Sequence, residues 1–248
     1  MADEKSTTET APWTAETPAY ASVPDRDGVP EIASVEELDR LRVAPAAHLA
    51  DLMAGAEVTG ERGVAMREHP FATQIGLRAV PGSEGAAALE GVLGFPLPTA
   101  VGEVTGDPQG LHVLWLSPDE FLAVDLSEHQ RPGAETPYAA ALAPGVAGQA
   151  VDLSANRTIL VLTGPSARAV LEKGCHLDLH PRAFPVGRAE VTQLGIVPLY
   201  LHRSGEEEWR LYPRQSFADF CVRWLVDAMA EFGAADPEAE SRELAVRG

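Results

Sequence analysis

The order of strand-like and helix-like segments between residues 149 and 233 limits the fold of this chain more than any other feature. Residues 158–163 form a β-branched, apolar run that is typical of a buried strand. A helix-like segment follows at 165–174. Three strand-like segments come next, at 188–195, 196–203 and 209–214, and a last amphipathic segment occupies 216–233. Because several strands follow one another without an intervening helix, the pattern predicts an α+β fold of mixed antiparallel sheets with packed helices, not a doubly wound parallel sheet.

The last of these segments, "SFADFCVRWLVDAMAEFG", has the signals of a long helix. Ser216 is the predicted N-cap, and Gly233 is the predicted end. Apolar residues recur along it at helical spacing, which predicts a buried face made of Phe217, Phe220, Cys221, Trp224, Leu225 and Ala228.

The first half of the chain has weaker but readable signals. Ser34 and Glu37 form a capping box before a short helix, and "PAAHLADLM" predicts a second helical piece that ends at Gly55. "SEGAAALEGVLG" predicts a helix that is capped by Ser83 and closed by Gly94.

Strands are predicted on both sides of that last helix. The strand-like runs are 73–80, 111–117 and 120–126, the last two joined by a turn, and a further pair lies on either side of residues 154–156. The Pro- and Gly-rich stretch 95–110 and the stretch 128–137 are predicted loops.

Composition divides the chain into three parts. Residues 1–33 are predicted to be a disordered acidic N-terminal arm, residues 34–232 a single α+β domain, and residues 233–248 a frayed acidic C-terminal tail. Trp13 and Tyr20 are exceptions in the arm: they are either anchors that dock on a partner or incidental aromatics.

The net charge of −18 excludes some classes of function. Nucleic acid and anionic membranes both need clustered Lys and Arg, so neither is an expected partner. The polar, acidic N-terminus lacks the features of a signal peptide, which predicts a cytoplasmic protein. Cys175 and Cys221 would both stay reduced in that compartment.

The stretch "GCHLDLHP", residues 174–181, holds the densest set of reactive side chains. If it were extended, His176, Asp178 and His180 would share one face and could hold a divalent metal. The alternative is a connector in which Leu177 and Leu179 face inward and the three polar residues face water. Gly174 closes the preceding helix and Pro181 ends the segment, so we expect the connector and no metal site.

No other catalytic signature is found in the sequence. A dinucleotide fingerprint, a phosphate loop and a nucleophile elbow are all missing. Cys221 is a predicted core residue, and Asp125 and Asp152 are predicted to cap turns at strand ends. We therefore expect no catalytic, cofactor-binding or metal-binding residue in this chain.

A longer pattern carries a family resemblance. "VDLSANRTILVLTGPSARAVLEKGCHLDLHPRAFPVGRAEVTQLGIVPLYLHR", followed by "WRLYPRQSFADFCVRWLVDAM", resembles the γ subunit family of heterotetrameric sarcosine oxidase. That family is related to the glycine-cleavage T-protein and other folate-binding aminomethyltransferase-like folds. The resemblance covers roughly residues 70–232 and is most specific in the last eighty or so.

The resemblance implies that residues 34–232 form a folate-binding-like domain. It also implies that the role of this domain is assembly of the complex and not catalysis. The complex would convert sarcosine to glycine, hydrogen peroxide and, with tetrahydrofolate, 5,10-methylenetetrahydrofolate. FAD, FMN, NAD, zinc and tetrahydrofolate are then expected in the partner α, β and δ subunits, and none in this chain.

Two interpretations stay open at this point. An assembly subunit needs apolar or aromatic surface for its partners, for which Trp13, Tyr20 and Trp209 are candidates. A stand-alone folate-binding or aminomethyltransferase-like protein needs basic residues in a pocket, and Arg210 and Arg214 could hold a glutamyl carboxylate. The bland alternative for these two arginines is that they are solvated strand residues.

Overall fold

The structure, a computed structural model, describes residues 40–234, apart from the side chain of Glu128. From Val43 onward these residues belong to one compact unit. Apart from residues 40 and 41, the predicted helix after Ser34 lies outside the described residues, as do the N-terminal arm and the C-terminal tail from residue 235. The boundaries predicted for those parts therefore stay predictions.

The described residues form five α-helices and ten β-strands. The helices are α1 (Ala50–Gly55), α2 (Glu84–Leu93), α3 (Thr136–Ala141), α4 (Ala167–Glu172) and α5 (Ala218–Gly233). Short 3-10 turns at Ala47–Leu49 and Gln215–Phe217 lead into α1 and α5. The strands are β1 (Ala65–His69), β2 (Ala72–Arg78), β3 (Val104–Gly106), β4 (Leu111–Ser117), β5 (Glu120–His129), β6 (Gln149–Asp152), β7 (Ile159–Thr163), β8 (Ala189–Leu194), β9 (Val197–Arg203) and β10 (Glu208–Pro213).

The strands form two five-stranded antiparallel sheets. The first sheet has the order β1-β7-β10-β9-β8, and the second has the order β3-β4-β5-β2-β6. The predicted α+β fold with antiparallel sheets is thus confirmed.

Three apolar clusters stack these elements into four layers. Helices α1, α4 and α5 cover the outer face of the first sheet, where Met53, Val170 and Leu225 pack on strand residues such as Leu211. Helix α2 covers the outer face of the second sheet. The inner faces of the two sheets pack on each other through residues of both: Ala72, Leu114, Leu122, Val124, Ile159, Val161, Ala189 and Tyr212. Any polar side chain on an inner face is therefore enclosed between two sheets.

Several local predictions are confirmed. Helix α2 begins after Ser83, whose hydroxyl accepts a hydrogen bond from the Ala86 N–H at 3.2 Å, and it ends at Gly94 in a left-handed conformation. Strands β4 and β5 form the predicted hairpin. Helix α1 ends at Gly55, and helix α5 ends at Gly233, as predicted.

Other local predictions are wrong in instructive ways. The predicted loop 95–110 contains β3, and the predicted loop 128–137 contains the end of β5 and the start of α3. The sequence pattern does not predict strand β1. Strands β6 and β7, on either side of residues 154–156, do not pair with each other, because β6 joins β2 in the second sheet and β7 joins β1 and β10 in the first.

Helix α5 is rotated relative to its predicted buried face. Cys221, Leu225 and Ala228 are buried as predicted, but Phe217 and Phe220 are 39% and 41% exposed. The remaining buried positions are Ala218, Val222 and Met229. Ser216 lies within the 3-10 turn and does not cap α5, which begins after Phe217 without a side-chain cap.

Candidate functional site

A pair of histidines is buried where the two sheets meet. His112 lies on β4 of the second sheet, His202 lies on β9 of the first, and both side chains are fully buried. Their ring centroids are 5.4 Å apart with an interplanar angle of 42°. Each histidine stands alone in the sequence, and only the stacking of the sheets brings them together.

The hydrogen bonds of this pair are incomplete. His112 Nδ1 lies 3.0 Å from the Gly110 carbonyl oxygen, which can only accept, so this nitrogen carries the proton. His112 Nε2 and both ring nitrogens of His202 have no hydrogen-bond partner among the described residues. A buried polar atom without a partner costs about 1–3 kcal/mol.

Burial and neighbouring charge keep both rings neutral. Desolvation lowers the pKa of His112 to about 4, with Arg210 also lowering it and the Gly110 carbonyl, Asp107 and Asp125 opposing. The pKa of His202 is lowered well below its ordinary value by burial, by His112 and by Arg210. Neither ring carries a charge near neutral pH.

Arg210 is the buried cation of the same region, only 3% exposed. Its guanidinium donates to Glu208 Oε1 at 2.6 Å and to Gln109 Oε1 at 3.0 Å, and also to the Pro108 carbonyl. The prediction of a solvated strand residue is wrong for Arg210, because β10 faces the second sheet at this position. Three hydrogen bonds hold the guanidinium to groups of its own chain, and the side chain is buried, so Arg210 is not presented to a folate carboxylate in solvent.

Glu208 is tuned by the same contacts. Burial by itself would raise the pKa of Glu208, but the hydrogen bonds from Ser204 and Arg210 and the charge of Arg210 outweigh it, and the pKa is lowered. The Glu208–Arg210 pair is therefore ionised and internally compensated. These contacts tie strand β10 to the loop between β3 and β4, which is a structural role and not a catalytic one.

Arg214, by contrast, is exposed, as the bland alternative predicts. It lines a polar cavity of about 430 Å³ together with Asp152, Leu153, Ala155, Asn156, Gln215 and Ser216. Arg210 does not line this cavity. The two arginines that the sequence offers for a carboxylate therefore do not converge on one pocket.

The stretch "GCHLDLHP" is a connector between α4 and the strand β8 that follows. Leu179 is 1% exposed and Leu177 packs against the same core, while His176, Asp178 and His180 are exposed. The prediction that the leucines anchor this segment is confirmed. Asp178 Oδ1 accepts from the His180 N–H at 2.9 Å, which folds the polar residues onto their own backbone.

Within residues 40–234, no three His, Cys, Asp or Glu side chains are placed to hold a metal ion. Cys175 Sγ lies 3.7 Å from Thr192 Oγ1, and Cys221 is fully buried, which raises the pKa of its thiol to about 12. Cys221 is thus the core residue that its position on α5 predicts.

Gly174, the first residue of the connector, has a specific packing role. Trp224 of α5 lies so close to it that a Cβ at Gly174 would come within 2.7 Å of the indole Cη2. The same indole covers Gly195 at the β8–β9 turn, where a Cβ would be 3.7 Å from Nε1, and Gly195 N–H donates to the Gly174 carbonyl. The indole therefore fastens the connector and the turn to α5.

The two predicted turn-capping aspartates both bond locally. Asp152 ends β6 as predicted, and its Oδ1 accepts from the Ser154 N–H at 2.9 Å. Asp125 Oδ1 accepts from the Ser127 N–H at 2.8 Å, but Asp125 lies inside β5 and not at its end.

The aromatic candidates for partner contact fare differently. Trp209 is 1% exposed and packs in the core of the first sheet, so the prediction that it is surface is wrong. Trp13 and Tyr20 lie outside the described residues. The exposed aromatic side chains at the start of α5 are instead Phe217 and Phe220, whose apolar spacing resembled that of a core.

An apolar cavity of about 510 Å³ lies between α1 and β1, the edge strand of the first sheet. Its lining is mostly small and apolar: Ala44, Ala47, Ala50, Met53, Ala54, Ala65, Met66, Pro70 and Thr163, with Glu57, Arg67 and Glu68. Glu68 is already engaged, because it accepts from the Ala46 N–H at 3.1 Å and from the Thr158 hydroxyl at 2.5 Å.

The paired sheets with outer helices define the class of fold. The glycine cleavage system aminomethyltransferase T from Bartonella henselae shares it, with a TM-score of 0.52 over 75% of this chain and 57% of that one. At 17% identity this likeness shows the fold alone. The chain thus has an aminomethyltransferase-like α+β fold.

The family is more specific than the fold. Residues 79–231 match the model of the sarcosine oxidase, gamma subunit family. Sarcosine oxidase subunit gamma of Corynebacterium sp. (strain U-96) is 54% identical over 197 residues, 79% of this chain and 94% of that protein. The subunit gamma of an Arthrobacter species is 50% identical over 198 residues, 80% and 95% of the two chains. The chain belongs to the sarcosine oxidase gamma subunit family.

A solved structure extends the likeness to the whole subunit. A chain of the heterotetrameric sarcosine oxidase from Corynebacterium sp. U-96, determined with pyrrole 2-carboxylate, matches with a TM-score of 0.75 and 54% identity. The match covers 79% of this chain and 98% of that one. Among residues 40–234, no helix is both long and apolar enough to cross a membrane.

Proposed function

We propose that this chain is the γ subunit of a heterotetrameric sarcosine oxidase, and that its role there is assembly and not catalysis. The observation that carries the proposal is the 54% identity to a sarcosine oxidase γ subunit over 94% of that protein. Almost the entire relative is aligned, so the likeness extends well beyond a shared fold.

The arrangement of polar groups supports a non-catalytic role. The histidine pair is fully buried between the sheets, and a substrate from solvent reaches neither ring unless the sheets separate. The guanidinium of Arg210 is hydrogen-bonded to three groups of its own chain. Arg214, the second candidate for a folate carboxylate, stands in a separate polar cavity. These residues do not fit tetrahydrofolate as a pair.

The proposal places the chemistry in other chains of the complex. The α, β and δ subunits would hold FAD, FMN, NAD, zinc and tetrahydrofolate, and they would oxidise sarcosine to glycine, hydrogen peroxide and 5,10-methylenetetrahydrofolate. The complex would act in the cytoplasm. This chain would contribute a rigid, two-sheet body against which the larger subunits fold or close.

Co-purification tests the proposal directly. The tagged full-length chain is co-expressed with the genes that neighbour its own, and the eluate is assayed for flavin absorbance and for sarcosine-dependent hydrogen peroxide. We expect flavin-containing subunits and oxidase activity in the eluate. A chain that elutes alone and colourless from cells containing all the neighbouring products would contradict the proposal.

Omission of the chain separates its role from that of its partners. Cells that express only the neighbouring genes should give less assembled oxidase, and the purified chain should show no sarcosine oxidation. Stoichiometric tetrahydrofolate binding by the purified chain, measured by calorimetry, would instead favour a stand-alone folate-binding protein.

A further inference from the structure

Helix α5 is apolar on more of its circumference than its own domain covers. Its inward face is made of Ala218, Cys221, Val222, Leu225, Ala228 and Met229, all buried. Phe217, the last residue of the 3-10 turn, and Phe220 and Trp224 of α5 follow the spacing i, i+3, i+7, which puts them on a second face. An amphipathic surface helix normally carries polar residues there.

This second face is open in the described chain. Phe217 and Phe220 are 39% and 41% exposed, and Trp224 is only partly buried where it lies on Gly174 and Gly195. Ile196, next to Gly195, is 82% exposed. We call Phe217, Phe220, Trp224 and Ile196 the aromatic strip.

Contacts within the chain order two parts of the strip, the Trp224 indole and the backbone that carries Phe217. The indole of Trp224 packs against the backbone of Gly174 and Gly195, whose own hydrogen bond joins the connector to the β8–β9 turn. Phe217 N–H donates to the Arg214 carbonyl at 2.9 Å, which orders the 3-10 turn in front of α5. Preorganised aromatic surface loses little conformational entropy on binding and is typical of the centre of a protein interface.

Unpaired charges mark the two ends of the strip. Arg214 precedes Phe217 and is exposed, and its side chain makes no hydrogen bond or ion pair with any described residue. Asp227, one turn beyond Trp224 on the same side of the helix, is exposed and equally unpaired within residues 40–234. The strip is thus an apolar centre with a cation at one end and an anion at the other.

We propose that the aromatic strip is the surface through which this chain binds another subunit of the oxidase. The inference rests on the proposed function and names the surface that it uses. The complementary surface presents apolar side chains to the strip, a carboxylate opposite Arg214 and a cation opposite Asp227. A different chain is the occupant, because the structural relative is one subunit of a heterotetramer and matches over 98% of its length.

The test uses the whole co-expressed complex. Phe220→Ser removes the most exposed ring of the strip, and Arg214→Glu reverses the charge at its end. Each tagged variant is purified with its partners, and the complex is diluted while the bound fraction of this chain is measured by mass photometry. We expect dissociation constants raised about tenfold or more by Phe220→Ser, as for truncation of a central aromatic anchor.

Controls keep the result specific. Val151→Ser changes a residue of similar exposure, 40%, on β6 of the other sheet and should leave assembly unchanged. Ile196→Ser covers the case in which Phe220→Ser fails to fold, because a side chain that is 82% exposed contributes little to the domain core. Thermal unfolding of each purified chain checks that the fold is intact.

The outcomes distinguish this inference from the proposed function. In one outcome the wild-type chain co-purifies with the other subunits, and the variants Phe220→Ser, Ile196→Ser and Arg214→Glu bind them equally well at every dilution. The strip is then not the interface, although the subunit assignment stands. If the wild-type chain brings down no partner and the strip variants abolish a homodimer, the strip joins copies of this chain and both proposals fall.

Discussion

The imidazole rings of His112 and His202 lie 5.4 Å apart, and each ring belongs to a different sheet. Protonation of either ring would therefore place a charge in the contact between the two sheets. Arg210, 3% exposed, lies in the same region and adds a fixed positive charge.

We predict that the chain loses stability as the pH falls from about 6.5 to about 4. The folded-state pKa of His112 is about 4, below its ordinary value of 6.5. Between these two pH values His112 is protonated in the unfolded chain and neutral in the folded chain. Stability is therefore fully present above pH 6.5, and His112 alone would remove about 3 kcal/mol of it by pH 4. His202, whose pKa is also lowered, acts in the same direction.

Urea unfolding at pH 7 and pH 5 measures this dependence. His112→Phe should flatten it, since the proton-binding site disappears from both states. Val113→Ala, at a fully buried position on the same strand, is the matched control and should lower stability by a similar amount at both pH values. An unchanged pH dependence in His112→Phe would show that other groups control acid unfolding.

Removal of Glu208 should be strongly destabilising. Glu208→Ala leaves Arg210 buried without its carboxylate, and breaking a buried ion pair in this way costs about 3 kcal/mol. Thermal and urea unfolding at pH 7 measure the loss. Glu172→Ala is the control, because Glu172 and its partner Arg168 are 44% and 42% exposed, and loss of this surface pair should change stability by less than about 1 kcal/mol. Equal effects of the two variants would contradict the role given to the buried pair.

Gly174→Ala should destabilise the chain through Trp224. The new methyl group would overlap the indole ring, and such overpacking costs about 1–3 kcal/mol. Gly91→Ala in α2 is the counterpart, because a Cβ there meets nothing within 4 Å and replaces a helical glycine, which stabilises by about 0.5–1 kcal/mol. The melting temperatures should move in opposite directions, and tryptophan fluorescence should shift only in Gly174→Ala.

Ser83→Ala should weaken helix α2. The Ser83 hydroxyl accepts the Ala86 N–H at 3.2 Å, and loss of such a cap costs about 1 kcal/mol. Ser83→Asp retains an acceptor at the N-cap and should keep stability close to that of the unmodified chain. If urea unfolding gives both variants the same midpoint, the cap is not what fixes this helix end.

Local signals predicted most of the elements. Ser83 and Gly94 gave the limits of α2, and the hairpin of β4 and β5 followed from alternation around a turn. Such features depend on contacts between residues that are close in sequence. The connector at residues 174–181 was predictable for the same reason, because Gly174, Leu177 and Leu179 sit within one short stretch.

Contacts between distant segments were not predictable in this way. His112 and His202 belong to no common sequence motif. The residues next to Arg210 in sequence give no signal that its side chain faces another sheet and not water. The apolar period of α5 identifies its apolar positions, but it does not show that all of them belong to one buried face. Phe217 and Phe220 fit that period equally well whether they face the domain's own core or the outside, so only the packed structure separates the two.

The placement of the second sheet has a consequence for how the chain reaches its native state. Strands β1 and β7 are paired neighbours, with His69 opposite Ile159 and Ala65 opposite Thr163, yet every strand of the second sheet lies between them in sequence. The second sheet is therefore continuous in sequence and can complete itself first, whereas the first sheet must close a loop of about ninety residues. We expect the rate-limiting event of folding to be the capture of β1 by β7, after the inserted sheet has already shortened the distance between them.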